Sequence, residues 1–183
     1  MMSLEDHQRG LLNLIKSRGA APTDAYLRQV AASPGLAVVR ETALFWRAFQ
    51  LQSQCPFTCR LLKRLGCFEA LLADYFSMNS TSPYVEELSK DFLRWLLFHD
   101  NALIGAVSQF EYAALQAKAD SGEVFEILWD RDPDSVLLAL QNDSELPGTE
   151  ESCTYRVRID RNLSSGISCS RQRTADPSFP FRT

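Results

Sequence analysis

Gln54-Cys55-Pro56-Phe57-Thr58-Cys59-Arg60-Leu61-Leu62 decides the fold, because it sets a proline inside an otherwise helical run. Pro56 has no N–H to donate and its ring clashes with the preceding turn, so the chain must bend near Cys55 and start a new helix. Beyond the bend Phe57, Leu61 and Leu65 recur at i, i+4 and i+8, and Gly66 closes the segment. Phe68, Leu71, Leu72, Tyr75 and Phe76 then line a fifth helix.

Working back towards the N-terminus, Ser33-Pro34 supplies the N-cap and N1 pair of a third helix whose apolar face reads Val39, Ala43, Trp46 and Phe49. Pro22-Thr23 opens a short second helix carrying Tyr26, Leu27 and Val30. Ser3 with Asp6 has capping-box spacing ahead of Leu4, Leu11, Leu12 and Ile15, and Gly19 ends this first helix.

Working forward, Met78 to Ser82 is a polar hinge that separates a helical domain, residues 1–80, from a second module, residues 81–172. Ser82-Pro83 repeats the N-cap and N1 pattern ahead of Leu88, Phe92, Trp95 and Leu96, with Glu86 and Glu87 placed favourably against the helix dipole. Asp100 or Asn101 caps a seventh helix carrying Ile104, Val107, Phe110, Ala114 and Leu115, which Gly122 stops.

After Gly122 the period changes. Val124 to Trp129 alternates as a strand, Asp132-Pro133 starts a short helix through Leu140, and Thr154 to Asp160 alternates cleanly. Tyr155, Val157 and Ile159 face one way there, and Arg156, Arg158 and Asp160 the other. Asn162 to Gly166 reads as a hairpin loop leading to a last strand, Ile167 to Arg171. The expected fold is α+β, mainly α: an N-terminal helical bundle, then a winged-helix-like peptide-recognition module with a small antiparallel sheet. Residues 173–183, with Pro177 and Pro180, carry no periodicity and read as a flexible tail.

With 183 residues, 45% of them hydrophobic and 23% charged, the chain can bury a core without metal or disulfide staples. A net charge of -4 gives the whole molecule no attraction to nucleic acid or to anionic lipid. No apolar run reaches the roughly 18 residues of a membrane span, and the first residues lack the basic and apolar regions of a secretory signal, so a cytoplasmic location is expected. In that compartment the five cysteines stay reduced.

Candidate chemistry is sparse. Cys55 and Cys59 straddle a helix start where a zinc knuckle would show paired Cys units with further ligands, so they read as small thiols of the packed interior. His7 at a helix start and His99 at a helix end read as exposed, which offers no Cys–His dyad. Glu111 is the carboxylate to watch: a solvated helix face is the ordinary reading, a buried hydrogen-bonding group the alternative. The eight glycines form no phosphate loop. Thr154 to Asp160, read as an exposed edge strand, offers unpaired N–H and C=O groups to an extended peptide, with Arg156 and Arg158 placed to pair acidic side chains on it. A solvated edge protected by charge is the competing reading.

Trp46-Arg47-Ala48-Phe49, Cys55-Pro56-Phe57-Thr58-Cys59-Arg60-Leu61-Leu62, Phe68 to Tyr75, Ser82-Pro83-Tyr84 to Leu96, and Phe110-Glu111-Tyr112 together resemble one group of small proteins. These are the partner subunits of multinuclear non-haem iron oxidative enzymes of methanobactin-type and 3-thiaglutamate-type peptide pathways, and the match spans roughly residues 4 to 140. The resemblance implies a noncatalytic accessory subunit without a cofactor of its own, the iron being held by a separate TIM-barrel enzyme that oxidises a cysteine in a ribosomally made precursor peptide. It further implies that the helical part docks on the enzyme while a sheet edge takes the precursor's leader as an added strand. The residues expected to bind peptide are Tyr155, Arg156, Val157, Arg158, Ile159, Ile167, Cys169 and Arg171. Between the two pathways the reading leans to 3-thiaglutamate. The alternative is a winged-helix DNA-binding regulator, against which Leu103 to Lys118 carries only Lys118 as a basic residue. A free-standing enzyme using Cys55 and Cys59 ranks last.

Overall fold

The computed structural model describes residues 3–16, 21–22, 24–79, 82, 84–118, 123–150, 153–160 and 166–173. Among them the chain forms eight helices and three strands: α1 (Leu4–Ile15), α2 (Ala25–Ala31), α3 (Pro34–Gln54), α4 (Pro56–Arg64), α5 (Phe68–Met78), α6 (Val85–Leu96), α7 (Ala102–Lys118), β1 (Phe125–Trp129), α8 (Pro133–Asn142), β2 (Cys153–Ile159) and β3 (Ile167–Arg173). The fold is therefore α+β and mainly α, a helical region followed by a small antiparallel sheet.

Local chemistry explains most boundaries. The capping box at α1 is present in both directions, Asp6 N–H donating to Ser3 Oγ at 3.1 Å and Ser3 N–H to Asp6 Oδ2 at 3.2 Å. Ser33-Pro34 and Asp132-Pro133 open α3 and α8 as their sequence predicts. Asn101 Oδ1 caps α7, accepting from Leu103 and Ile104. Gly66, at φ +69°, ends α4: Cys67 N–H returns to Leu62 O and Gly66 N–H to Lys63 O, each at 3.0 Å.

Several expectations shift. Asp24, not Pro22-Thr23, caps α2, its carboxylate accepting from Leu27 N–H at 3.1 Å. Tyr84 is the N-cap of α6 in place of Ser82, whose hydroxyl oxygen instead accepts from Tyr84 N–H at 3.2 Å. The Ser82 hydroxyl satisfies the N–H of the residue immediately before the helix, so the regular turns start later, at Val85. Gly19, Pro83 and Gly122 lie outside the described residues. β2 runs from Cys153 to Ile159, and Asp160, expected on the wet side, is buried at the neck of the hairpin, where its N–H donates to Gly166 O. β3 extends to Arg173, so the segment read as a tail begins at residue 174 and lies outside the described residues.

The largest correction concerns α3. Val39, Trp46 and Phe49 face solvent, while Leu36 and Leu51 are buried and Leu44 and Ala48 pack against the core. Both rows fit a helical period, and neighbours choose between them: α1, α4, α5 and α6 all pack on α3, and the residues buried there are on the leucine row. In α4 the same choice leaves Leu65 exposed and buries Thr58, Cys59, Leu61 and Leu62.

Buried residues from Leu51 to Ile159 form one cluster that spans both sides of residue 80. α6 lies on α3 and α7, and α7 touches both α4 and β1. Tyr75 anchors the middle, its ring 5.1 Å from Phe92 and 5.5 Å from Trp95. No helix among the described residues is long and apolar enough to cross a membrane.

Candidate functional site

The sheet has the order β1-β2-β3, antiparallel throughout. β2 is thus the central strand, which corrects the reading of Thr154 to Asp160 as an edge: its backbone is paired on both sides. The pattern of alternate residues cannot distinguish a central from an edge strand when one face is solvated in either case.

Tyr155, Val157 and Ile159 point into the core and are buried. Arg156 and Arg158 lie on the opposite face and already hold partners within the chain, Glu126 at 3.4 Å and Asp160 at 2.9 Å. None of these five presents both backbone and side chain to a ligand. The other three expected residues lie on β3, the outer strand of the sheet among the described residues. In the register of β2 and β3, Ile167 stands opposite Ile159, Cys169 opposite Val157 and Arg171 opposite Tyr155, so their side chains project to the core-side face. α7 packs on β1 and β2, and all three residues on β3 are exposed.

The direction of the backbone groups follows from one bond. Asp160 donates to Gly166 O at 3.0 Å between directly opposed residues, and in an antiparallel ladder such exchanging pairs recur at every second position. Ser168, Ser170 and Gln172 therefore bond to β2. The N–H and C=O of Ile167, Cys169 and Arg171 point away from β2 towards the side where, among the described residues, no strand lies.

A polar cluster fixes one end of this edge. Arg171 Nη2 donates to Glu150 Oε2 at 2.7 Å, its Nε lies 3.3 Å from Cys153 Sγ, and its guanidinium sits 5.6 Å from the centroid of the Tyr155 ring. Tyr155 Oη donates to the other oxygen of Glu150 at 2.9 Å, and burial together with this carboxylate raises the phenol above its ordinary value. At the middle, burial raises the Cys169 thiol, and Asp134 and Asp132 at the start of α8 add to the shift. Sequence reasoning missed Glu150, Asp132 and Asp134. Only Asp132 carried a signal, and it was absorbed by its role as a helix cap.

Away from the sheet, Glu111 is buried, which overturns the solvated-face reading. Its Oε1 accepts from Phe57 N–H at 2.9 Å and its Oε2 from Thr58 N–H at 2.8 Å, so a carboxylate from α7 holds the first turn of α4. Burial raises its pKa, while the Thr58 side chain, the two amides and Arg60 pull the other way. The Thr58 hydroxyl itself is buried outside hydrogen-bonding geometry. Cys55 and Cys59 flank this carboxylate. Burial first and Glu111 second push Cys59 up to about 12 and Cys55 further, so neither is a thiolate at neutral pH. His7 lies against Tyr26 and Asp24, and His99 Nδ1 accepts from Asn101 N–H at 3.1 Å.

A scan against protein-family models and searches of curated proteins and of solved structures find no match to this chain. The site has to be read from its own chemistry.

Proposed function

We propose that this chain is the recognition subunit of a heteromeric iron-dependent oxidative enzyme, binding the leader of a ribosomally made precursor peptide so that a cysteine of that peptide is modified by a separate TIM-barrel partner, with a lean to 3-thiaglutamate over methanobactin-type chemistry. The observation that carries this reading is the side of β3 on which, among the described residues, no strand lies. An extended peptide laid there meets the outward backbone groups of Cys169 and Arg171 and gains the directional bonds of an added strand. Its alternate side chains reach the exposed face at Ile167 and Cys169, between the acidic start of α8 and the Arg171–Glu150 cluster. Compared with the sequence expectation, the contact moves from β2 to β3.

The helical region supports the second half of the reading. Val38, Phe45, Trp46 and Phe49 leave a continuous exposed row on α3, with Phe45 and Phe49 each 6.0 Å from the Trp46 ring. At roughly 150–250 Å² for a whole aromatic side chain, more than half of it exposed in each case, the row offers a few hundred Å² of apolar surface, the size associated with protein docking. Seating the enzyme there and the leader on β3 would raise the local concentration of the target cysteine at the iron site.

The test is reconstitution with the iron-enzyme barrel and the short cysteine-containing peptide encoded by neighbouring reading frames. All three together should change the mass of the peptide, and omission of this chain should abolish the change. Undiminished modification without the chain, or stoichiometric iron with turnover in the isolated chain, would overturn the proposal.

A further inference from the structure

A cleft of about 680 Å³ opens between α5, α6 and the turn after α6, and its described lining shares no residue with either surface used in the function proposed above. Leu71, Trp95 and Phe98 give it an apolar wall, and Phe98 is 88% exposed. Asp74, Asp91 and Asp100 place carboxylates around it, with Arg94 and His99 beside them. Arg94 Nη1 holds Asp91 at 3.1 Å. His99 Nδ1 accepts from Asn101 N–H at 3.1 Å, which leaves that imidazole neutral with its proton on Nε2. Asp74 and Asp100 form no ion pair among the described residues, so the cleft keeps an uncompensated negative charge.

Tyr75 lines the same cleft and adds an independent observation. The residue is 2% exposed, its ring packed against Phe76, Phe92 and Trp95, yet its hydroxyl meets no hydrogen-bond partner among the described residues. Burial pushes the phenol up to about 12, Asp91 adding to the shift and Arg47 and Arg94 opposing it, so the group stays an O–H at neutral pH. Asp91 and Arg94 both stand on the cleft wall, which puts the hydroxyl on that side. A buried hydroxyl is ordinarily hydrogen-bonded, and here the partner has to come from the cleft.

We propose that this cleft binds a primary alkylammonium group, its N–H donors answered by the Tyr75 hydroxyl and the free carboxylates of Asp74 and Asp100, and its alkyl body laid against Leu71, Trp95 and Phe98. An ammonium brings three donors and a positive charge to a cleft that offers acceptors and an unbalanced negative charge. The aromatic wall suits it too, because ring faces attract cations. A carboxylate guest would meet like charge. A neutral alkyl guest would desolvate two carboxylates without replacing the water that they lose. The volume lies inside the range of roughly 300–1,000 Å³ for small-molecule sites.

The test is titration of the full chain with hexylammonium, followed by NMR at the Leu71 methyls and the Trp95 indole N–H. Saturable shifts at both with a Kd below about 1 mM are expected, with hexanol and hexanoate at least about tenfold weaker and ammonium chloride inactive. Hexyltrimethylammonium keeps the charge and loses every N–H, and should also bind at least about tenfold more weakly. Tyr75→Phe removes the hydroxyl alone; it should weaken hexylammonium by about tenfold, the size of one charge-assisted hydrogen bond, and leave the melting temperature within a few degrees of wild type. Asp74→Asn, at an exposed position, should weaken it as well. Acetyl-lysine methylamide, acylated at the α-nitrogen, separates two sources of the same chemistry: its binding alongside hexylammonium assigns the site to a lysine side chain of a partner, its failure beside bound hexylammonium to a free amine. Equal affinity for hexylammonium and hexanol, unchanged affinity in Tyr75→Phe, shifts away from the cleft, or no saturable shift would overturn the proposal. Because the readout needs neither iron enzyme nor precursor, its result is independent of the function proposed above.

Discussion

Replacing Glu111 by glutamine removes one oxygen from a carboxylate whose two oxygens each serve a different amide. Oε1 accepts from Phe57 and Oε2 from Thr58, at 2.9 and 2.8 Å, inside the packed junction of α4 and α7. A glutamine can accept one of these bonds. Its NH2 group then faces the other N–H, leaving a buried donor without an acceptor, at a cost of about 1–3 kcal/mol. Relief of the buried charge offsets part of this, so a loss of about 1–2 kcal/mol at neutral pH is expected. Glu111→Ala strands both amides and opens a cavity, and should cost about 2–5 kcal/mol.

The pH dependence separates the charge from the hydrogen bonds. Burial dominates the Glu111 environment and raises its folded pKa above the ordinary 4.5. A carboxyl group with a raised folded pKa contributes stability that is fully present below the unfolded pKa and is lost as pH rises through the folded one. Glutamine does not titrate, so the stability gap between wild type and Glu111→Gln should widen as pH falls from 7 towards 4.5. Urea unfolding followed by circular dichroism at several pH values measures it. A gap that narrows on acidification would show that the amides and Arg60 outweigh burial, and a variant within about 0.5 kcal/mol of wild type at pH 7 would refute the pinning role altogether.

On β3, Cys169→Pro removes an N–H that points away from β2 and should leave the melting temperature within a few degrees of wild type, while weakening leader binding about 5–150-fold in a fluorescence-anisotropy titration with the reconstituted precursor. Ser170→Pro removes a donor to β2 instead and should lower the melting temperature clearly; the reverse order of the two effects would contradict the derived direction of the edge. Gly66→Ala meets no atom within 4 Å but forces a side chain into φ +69°, so it should cost about 1 kcal/mol in urea unfolding, and a neutral result would show that the turn relaxes. Leu62→Ala, at a fully buried position, should cost about 2–5 kcal/mol in the same assay; a loss under 1 kcal/mol would mean that the cluster collapses around it.

The features legible in the sequence are those decided within a few residues. Ser3 with Asp6, Ser33-Pro34, Pro56, Gly66 and Asp132-Pro133 satisfy or deny backbone bonds by themselves, and each marks a boundary that the structure keeps. Apart from shifted boundaries such as the caps of α2 and α6, the misreadings involve a choice between two surfaces. α3 carries one row of leucines and alanine and another of aromatics at the same period, and only the arrival of α4, α5 and α6 on one side exposes Trp46 and Phe49. β2 alternates as an edge strand would, and its central place depends on β1, some thirty residues earlier, and on β3. Glu111 is charged and flanked by aromatics, a pattern common to wet helix faces; its burial depends on two amides more than fifty positions away.

These non-local choices are connected through one helix. α7 reaches α4 on one side, where Glu111 takes the two amides that Pro56 leaves at the head of the helix, and supports β1 on the other. The proline that breaks α3 from α4 therefore creates a need for an acceptor, and the residue that meets it belongs to the element on which the sheet is laid. A helix start satisfied by its own side chain, as at Ser33, could move relative to the sheet at little cost. One satisfied by α7 cannot, because any displacement strands two buried donors. The position of β3 relative to the exposed row on α3 is set in part by this backbone hydrogen bonding, a rigidity that the recognition role proposed above would use.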